Sequence, residues 1–263
     1  MTTLQVPHPF DFHQQISEVV LVGCGGTGSQ VARTLCRVVY DLRRRGHHVP
    51  SIKFVDPDMI EAKNVGRQMF TEADIGKFKF KATTLATRFN LAMGLNIVTY
   101  AEPFDAEKHA GRYGTLVIGC VDNHLARREL SKVSGLWLDA GNDRTSGQVS
   151  VGNTSNKVDI QRCTKSNQFT HLPNAALVFP QLLEPEPESV VKPVPVPNAS
   201  CADLVETGDQ SLLINDMVGI IAGEYIYKLL NHLPILSFLT YVDTASLSMR
   251  SIHNTVDNLR PYV

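Results

Sequence analysis

A glycine-rich turn that joins an apolar stretch to a helical stretch is the feature that most constrains how this chain can fold. Val19 to Gly23 has the composition of a short buried strand, and a helix is predicted to begin near Thr27. Between them lies the pattern G-x-G-G-x-G, whose glycines are Gly23, Gly25, Gly26 and Gly28. Glycine allows a tight bend and a close approach of backbone to phosphate, and the N-terminus of a helix favours an anion. The pattern therefore predicts a nucleotide site, with a glycine-rich turn that binds no ligand as the alternative.

The composition is that of an ordinary globular protein without a charge bias. The 263 residues include 25 Lys and Arg against 26 Asp and Glu, so a formal charge of −1 gives no electrostatic basis for binding nucleic acid or an anionic membrane. No apolar stretch of about 18 residues occurs, and no Lys or Arg precedes Arg33. We therefore expect neither a membrane-spanning helix nor a secretory signal, and a cytoplasmic location. The five cysteines contain no C-x-x-C pair, which disfavours structural zinc and a disulfide framework.

The order of the apolar segments predicts an α/β fold. We expect a Rossmann-like mixed sheet with helices on both faces, in which a parallel nucleotide-binding half is followed by an antiparallel extension. A single domain over residues 1–263 is predicted, with the nucleotide-binding half at 17–140 and the antiparallel half at 141–263. A helix is predicted in the latter part of 71–90, with Asp74 as a candidate N-cap. After the first strand, the predicted strands are Ser51–Val55, Asn96–Tyr100, Thr115–Gly119, Trp137–Ala140, Gly147–Val151, Ile235–Val242 and Ser246–Ile252.

Two acidic residues directly follow predicted strands, at the place where doubly wound sheets bind their ligands. Asp56 follows the second strand and either accepts hydrogen bonds from a ribose or serves only as a turn residue before Pro57. Asp122 comes after the fourth strand and either caps the next helix or faces the same crevice as the glycine turn. Both carboxylates are therefore candidate site residues.

A proline-rich segment interrupts the antiparallel half. Seven of the 14 prolines fall between Pro173 and Pro197, a density that excludes a helix or a central strand. We therefore predict a long crossover loop over 165–209. A strongly apolar helix is predicted at 210–230, and its broad apolar surface indicates either deep burial or one half of a homodimer interface.

Together these motifs resemble the ThiF/MoeB/HesA family, the bacterial relatives of ubiquitin-activating E1 enzymes, and they are most similar to the ThiF-type proteins of PRTRC plasmid-associated cassettes. The resemblance covers nearly the whole chain and rests on motifs that occur in order: the glycine turn, Asp56, Asn64-x-x-Arg67-Gln68, Asp74-Ile-Gly76 with a following lysine, and Cys120-x-Asp122-Asn123. It implies ATP-dependent adenylation of the C-terminal glycine carboxylate of a small ubiquitin-like or sulfur-carrier protein, with release of pyrophosphate. It also implies a homodimer with two separate nucleotide sites.

The resemblance implies roles for individual residues. Asp56 is expected to hold the ribose, Asn64, Arg67 and the lysine the triphosphate, and Asp122 the Mg²⁺ ion. Cations are needed because a carboxylate must approach a tetra-anion, whereas no general base is needed for a carboxylate that is already ionised at neutral pH. The candidate nucleotide-binding set is the glycine turn with Asp56, Asp58, Asn64, Arg67, Gln68, Asp122 and Asn123.

The sequence departs from the family pattern in three places. Spacing from the Asp-Ile-Gly motif favours Lys79 as the triphosphate lysine, whereas the downstream Ala82 and Arg88 favour Lys81, so both lysines are candidates. No arginine precedes Arg33 that could reach the ATP of a neighbouring subunit. The C-x-x-C pairs that bind zinc in many relatives are missing, so ATP and Mg²⁺ are the expected cofactors.

A cysteine can extend the reaction by accepting the activated carrier. We select Cys201, because it follows the crossover, where ubiquitin-activating relatives place their acceptor cysteine, and because Asn198 and Ser200 are helix-capping residue types. Cys163 is the alternative, Cys24 in the glycine turn is too confined by the phosphate loop, and a reaction without any thiol step is also open.

Two other classes of function compete with adenylation. An NAD-dependent oxidoreductase would use the same glycine turn and Asp56, but it has no use for Arg67 and Asp122 at a shared crevice. A non-catalytic scaffold that keeps the fold in order to bind a partner would explain the missing N-terminal arginine.

Overall fold

Glycine, proline and polar residues separate short apolar segments along the chain, and these segments form the regular elements. The computed structural model describes residues 6–12, 14–111, 113–166, 168–185 and 211–263. Within these ranges the strands are β1 Glu18–Val22, β2 Ser51–Val55, β3 Ile97–Tyr100, β4 Thr115–Gly119, β5 Leu136–Asn142, β6 Ser146–Gly152, β7 Ser237–Asp243 and β8 Ser248–His253. The helices are α1 Gly26–Arg44, α2 Lys81–Met93, α3 Ala106–Ala110, α4 His124–Leu130, α5 Lys157–Ser166, α6 Ala175–Val178, α7 Ile214–Leu230 and α8 Val256–Leu259, with 3₁₀ turns at Ala62–Asn64, Glu72–Asp74, Pro180–Leu183 and Arg260–Tyr262.

All of these strands belong to one sheet, in the order β3-β2-β1-β4-β5-β6-β7-β8. Neighbours from β3 to β5 run parallel, whereas β6, β7 and β8 are antiparallel additions. The mixed α/β sheet confirms the predicted fold class. The strand order reverses between β1 and β4, so the loops that follow these two strands separate and leave a crevice at their carboxyl ends. The glycine turn after β1 and Asp122 after β4 both lie at this crevice.

Strand β1 explains why helices cover both faces of the sheet. All five of its residues are buried, and the four apolar ones after Glu18 alternate between two apolar clusters. Val19 and Leu21 belong to the larger cluster, which includes residues of α1 and α7, while Val20 and Val22 belong to a smaller cluster with Leu130 of α4. The short apolar run before the glycine turn is therefore the centre of the core.

The helix predicted at 210–230 begins at Ile214. It packs on α1, β5 and β6, and most of its apolar side chains are buried by these contacts, although Ile220 stays 60% exposed. Deep burial within one chain therefore accounts for most of its apolar surface, and the homodimer stays a prediction. No helix among the described residues combines the length and the apolar character needed to cross a membrane.

Two details of the prediction were wrong. The segment predicted to contain no helix forms α6 and a 3₁₀ turn at Pro180–Leu183, because Asn174 caps α6 and a proline suits the first position of a helical turn. Asp74 does not cap α2, which begins at Lys81; its carboxylate accepts hydrogen bonds from the Thr71 backbone and from Arg88. Residues 186–209 of the predicted crossover, which include Cys201, and residue 210 after it lie outside the described residues.

Candidate functional site

The glycine turn after β1 is shaped by close backbone contacts. Gly23 has a φ of +85°, which favours glycine, and its N–H donates to the Val55 carbonyl at 2.9 Å. A Cβ on Gly28 would lie 1.9 Å from the Gly23 carbonyl oxygen, so this position also requires glycine. Gly25 differs, because the nearest protein atom to a Cβ there is Gln68 Nε2 at 4.0 Å. The protein itself leaves room above Gly25, which is where a phosphate would approach the backbone.

Asp56 joins the glycine turn to the end of β2. Its Oδ2 accepts the N–H of Cys24 at 2.5 Å and its Oδ1 accepts the N–H of Asp58 at 2.8 Å. The residue is only 5% exposed, and burial raises the pKa of its carboxyl, an effect that the charge of Lys81 and the two N–H donors oppose. The Asp56 carboxylate therefore lies beside the crevice and also fixes the position of the glycine turn.

Lys81, and not Lys79, lies beside these carboxylates. Lys81 is the first residue of α2 and is 8% exposed; its Nζ lies 2.7 Å from Oδ2 of Asp58, and its backbone N–H donates to the Asp58 carbonyl. The Lys79 side chain is exposed, while its carbonyl accepts the N–H of Ile60. The geometry thus brings one of the two predicted lysines to the crevice.

The segment with Asn64, Arg67 and Gln68 covers the start of α1. All three side chains are buried, and Asn64 Oδ1 accepts the Glu61 N–H at 2.9 Å, which closes the 3₁₀ turn. Beyond them, the N–H of Met69 donates to Ser29 Oγ of α1 at 3.3 Å. The Gln68 carboxamide thereby lies close to the glycine turn, with Nε2 4.0 Å from the position of a Gly25 Cβ, and the buried Arg67 directly precedes it in the same segment.

The loop after β4 places Asp122 and Asn123 at the other side of the crevice. The Cys120 N–H donates to the Val22 carbonyl at 2.8 Å, which ties this loop to the end of β1. Asn123 Oδ1 accepts the Ala126 N–H at 2.8 Å and caps α4, so Asp122 is not the cap. The Asp122 side chain is exposed and makes no hydrogen bond or ion pair with any residue in the described parts of the chain.

The chemistry of Asp122 is compatible with Mg²⁺. No group of three or more His, Cys, Asp or Glu side chains among the described residues is placed to hold a metal ion. Mg²⁺ does not require such a cage, because proteins bind it through one or two carboxylates together with substrate phosphates and water. A single free carboxylate across from the glycine turn meets this requirement.

The two cysteines near the crevice, Cys24 and Cys120, carry thiols whose ionisation is disfavoured by burial. Burial raises the pKa of the Cys24 thiol well above its usual value, and burial likewise raises that of Cys120. Cys163 lies on α5, which follows the end of β6 at the opposite edge of the sheet from the crevice. Its Sγ lies 3.6 Å from Thr170 Oγ1, far from the glycine turn in the topology. None of these three cysteines is in a position that suits a thiol that accepts a group from a nucleotide site.

Two polar clusters beside the crevice were not predicted. Asp139 of β5 is 1% exposed, and its nearest cation is Arg127 of α4, with Nε 3.8 Å from Oδ1. Burial raises the pKa of Asp139 to about 6, although Arg127 opposes the shift. The second cluster joins Thr27 of α1 to Asn215 of α7. The sequence contains a signal for each cluster. Asp139 is an acidic residue inside an apolar strand, and Asn215 is an amide at the start of an apolar helix.

The sheet order and the glycine turn define an α/β protein of the Rossmann-like class. The model of the ThiF family matches residues 12–260, so this chain belongs to the ThiF family. No curated protein sequence gave a significant match.

Solved structures agree on the fold. E. coli MccB with ATP is 16% identical, with a TM-score of 0.52, over 90% of this chain and 63% of that one. E. coli MccB with AMPCPP and MccA is 15% identical, with a TM-score of 0.54 and the same coverage. PaaA is 15% identical, with a TM-score of 0.55, over 91% of this chain and 73% of that one. The chain thus spans less than two thirds of the length of MccB.

Proposed function

We propose that this protein activates a substrate carboxylate by ATP-dependent adenylation. The substrate carboxylate oxygen attacks the α-phosphorus of ATP, the bond to the bridging oxygen breaks, and an acyl-adenylate and pyrophosphate result. The observation that carries the proposal is the position of Lys81 at the crevice formed by the glycine turn and the β4 loop of a ThiF-family chain. MccB has been solved with ATP and with AMPCPP, which supports nucleotide binding by a protein of this fold.

The residues around the crevice suit this chemistry. The backbone at Gly25 is open to a phosphate, and the N–H groups at the start of α1 favour an anion. Lys81 and Arg67 would supply positive charge that stabilises the pyrophosphate leaving group, and Asp56 would accept hydrogen bonds from the ribose. Asp122, together with the phosphates, would hold Mg²⁺, which neutralises phosphate charge when it is bound. No general base is required, because the attacking carboxylate is ionised at neutral pH.

The substrate that we propose is the C-terminal glycine carboxylate of a small ubiquitin-like or sulfur-carrier protein. Support comes from the family to which the chain belongs and from MccB, which has been solved together with MccA. The protein is further proposed to be a homodimer of one adenylation domain per chain in the cytoplasm. The described cysteines are free, which suits a reducing compartment. Light scattering that gives the mass of a monomer at micromolar concentration would contradict the proposed homodimer.

The further step that we propose is transfer of the activated carrier to Cys201. The Cys201 thiolate attacks the carbonyl carbon of the acyl-adenylate, the bond from that carbon to the phosphate oxygen of AMP breaks, and a thioester and free AMP result. Cys163 now serves as the matched control, because it lies at the opposite edge of the sheet from the crevice. Loss of a thiol-sensitive carrier conjugate in Cys201→Ala, with conjugate retained in Cys163→Ala, supports the transfer. An unchanged conjugate in Cys201→Ala excludes it.

Exchange of labelled pyrophosphate into ATP separates adenylation from the two competing functions. With a carrier protein present, an adenylating enzyme catalyses the exchange. An NAD-dependent oxidoreductase and a non-catalytic scaffold do not catalyse it, and the oxidoreductase instead binds NAD in preference to ATP. Exchange that is absent with every small protein ending in glycine would remove the proposed function.

A further inference from the structure

Helix α7 is seated on α1 through a stripe of positions spaced by four residues, Asn215, Gly219 and Gly223. A Cβ on Gly219 would lie 2.6 Å from the Cβ of Gln30, and a Cβ on Gly223 would lie 2.1 Å from Cγ2 of Thr34. Larger residues would push the two helices apart, so the glycines set both the distance between the helices and their relative position. Because residues four apart share a helix face, Asn215 continues this stripe toward the N-terminus of α1.

Asn215 contacts the turn that is expected to face the phosphates. The side chain is 2% exposed, and its Oδ1 accepts hydrogen bonds from Thr27 Oγ1 at 2.9 Å and from Asn142 Nδ2 at 3.1 Å. A Cβ on Gly26 would lie 2.6 Å from the same oxygen, so the carboxamide rests directly on the first turn of α1. The absence of a Cβ at Gly26 therefore makes room for the Asn215 side chain.

The other end of the carboxamide is unusual. Nδ2 of Asn215 is buried and makes no hydrogen bond with any residue that the structure describes. A buried donor without an acceptor lowers stability, so such groups are kept where they serve another purpose. This donor lies 3.0 Å from the position of a Gly26 Cβ, beside the positive end of the α1 dipole.

We propose that Asn215 is a positioning residue for the nucleotide phosphates. Its Oδ1 fixes the first turn of α1 through Thr27, and its N–H dipole adds to the positive potential at that turn. The inference rests on the proposed function, because it requires a nucleotide at the glycine turn. It makes phosphate affinity depend on a helix that follows the crossover. Ser211, three residues before that helix, donates its backbone N–H to the Arg144 carbonyl at 2.7 Å.

The test compares Asn215→Ala and Asn215→Asp with Asn254→Ala. Asn254 is a matched control because it is also buried and its Oδ1 has no partner among the described residues, but it follows β8 at the opposite edge of the sheet. Affinities for ATP and for adenosine are measured by displacement of a fluorescent ATP analogue. Adenosine lacks phosphates, so the ratio of the two affinities reports on the phosphate contacts alone.

We expect Asn215→Ala to weaken ATP binding about tenfold, because the first turn of α1 loses both the side chain that fixes it and the N–H dipole beside it, and to leave adenosine binding unchanged. Asn215→Asp keeps the acceptor oxygen but brings a negative charge to the turn, so it should weaken ATP binding further. Asn254→Ala should lower thermal stability without changing the ratio.

Two results would overturn the inference. One is a folded Asn215→Ala protein whose ATP affinity stays within twofold of the parent; the other is an equal loss of ATP and adenosine affinity, which indicates a purely structural role. If Asn215→Ala does not fold, the ratio of ATP affinity to adenosine affinity is measured in the nearly isosteric Asn215→Asp instead. Absence of ATP binding by the parent protein is a separate outcome, which removes the proposed function itself.

Discussion

The carboxylate of Asp56 accepts the backbone N–H of Cys24, with 2.5 Å between Oδ2 and the nitrogen. The contact joins the end of β2 to the glycine turn after β1, two segments that are neighbours only because the strands pair in parallel. A second N–H, from Asp58, reaches the other oxygen. The position of the glycine turn therefore depends on a side chain that the sequence indicated either as a ribose ligand or as a turn residue before Pro57.

Replacing Asp56 should affect stability and nucleotide binding together. In Asp56→Asn one of the two backbone N–H groups faces an amide nitrogen, so we expect the free energy of unfolding to fall by about 1–3 kcal/mol. ATP affinity should fall in parallel because the turn is no longer fixed. Urea unfolding and ATP titration measure the two effects. Asp41→Asn is the control, since Asp41 forms an exposed ion pair with Arg45 that should contribute less than about 1 kcal/mol. An Asp56→Asn protein with unchanged stability would refute the positional role.

The two candidate lysines should behave differently. Lys81→Ala removes the cation beside Asp58, so pyrophosphate exchange should fall by a factor of about 100 or more, as for other groups that stabilise charge in a transition state. Lys79→Ala changes an exposed side chain in the same loop and should retain exchange within about twofold. Exchange that depends on Lys79 and not on Lys81 would show that the loop before α2 rearranges when ATP binds.

Asp122 should be needed for activity but not for stability. Its side chain is exposed, and Asn123 already caps α4, so Asp122→Ala should change the free energy of unfolding by less than about 0.5 kcal/mol. Exchange should be lost at every Mg²⁺ concentration. Asn123→Ala gives the contrast, because loss of the cap should cost about 1 kcal/mol. An Asp122→Ala protein that retains full exchange would exclude Asp122 as the magnesium ligand.

Asp139 should give the protein a specific pH dependence of stability. Burial raises the pKa of its folded-state carboxyl to about 6, above the unfolded value of about 4. As pH rises between these values, the unfolded state loses the proton before the folded state does. The stabilisation from this group is therefore fully present below about pH 4 and is lost as pH rises through about 6. The total loss in the free energy of unfolding is about 3 kcal/mol. Asp139→Asn cannot ionise and lacks this loss.

Urea unfolding of Asp139→Asn and the parent protein at pH 4.5 and pH 7.5 checks the sign. Stability of the variant relative to the parent should increase between the two pH values. A difference that is the same at both values would mean that Asp139 ionises normally, despite its burial beside Arg127.

The sequence predicted the parallel part of the fold well because its signals are local. β2 and β4 have the predicted bounds, and α1 begins one residue before the predicted Thr27. The choice between Lys79 and Lys81 was different, since it depends on where the chain turns between Gly76 and α2. In that turn Phe78 has a φ of 63°. This left-handed conformation is rare for phenylalanine, so the sequence does not indicate it.

Contacts between distant segments could not be predicted. The hydrogen bond from Thr27 to Asn215 and the ion pair of Arg127 with Asp139 depend on how α7 and α4 pack on the sheet. No periodicity in the sequence encodes such contacts. The partners of a polar residue in an apolar segment become known only when the packing is known.

The proposed adenylation joins a carboxylate of another polypeptide to AMP. It is measured by intact-mass spectrometry of small proteins ending in glycine after incubation with this protein, ATP and Mg²⁺. We expect one of them to gain the mass of one AMP unit, with pyrophosphate released in equal amount, and both products to be lost with Lys81→Ala or when the terminal glycine of the carrier is removed. If the protein binds ATP but no carrier gains AMP and no pyrophosphate appears, adenylation of a carrier is contradicted.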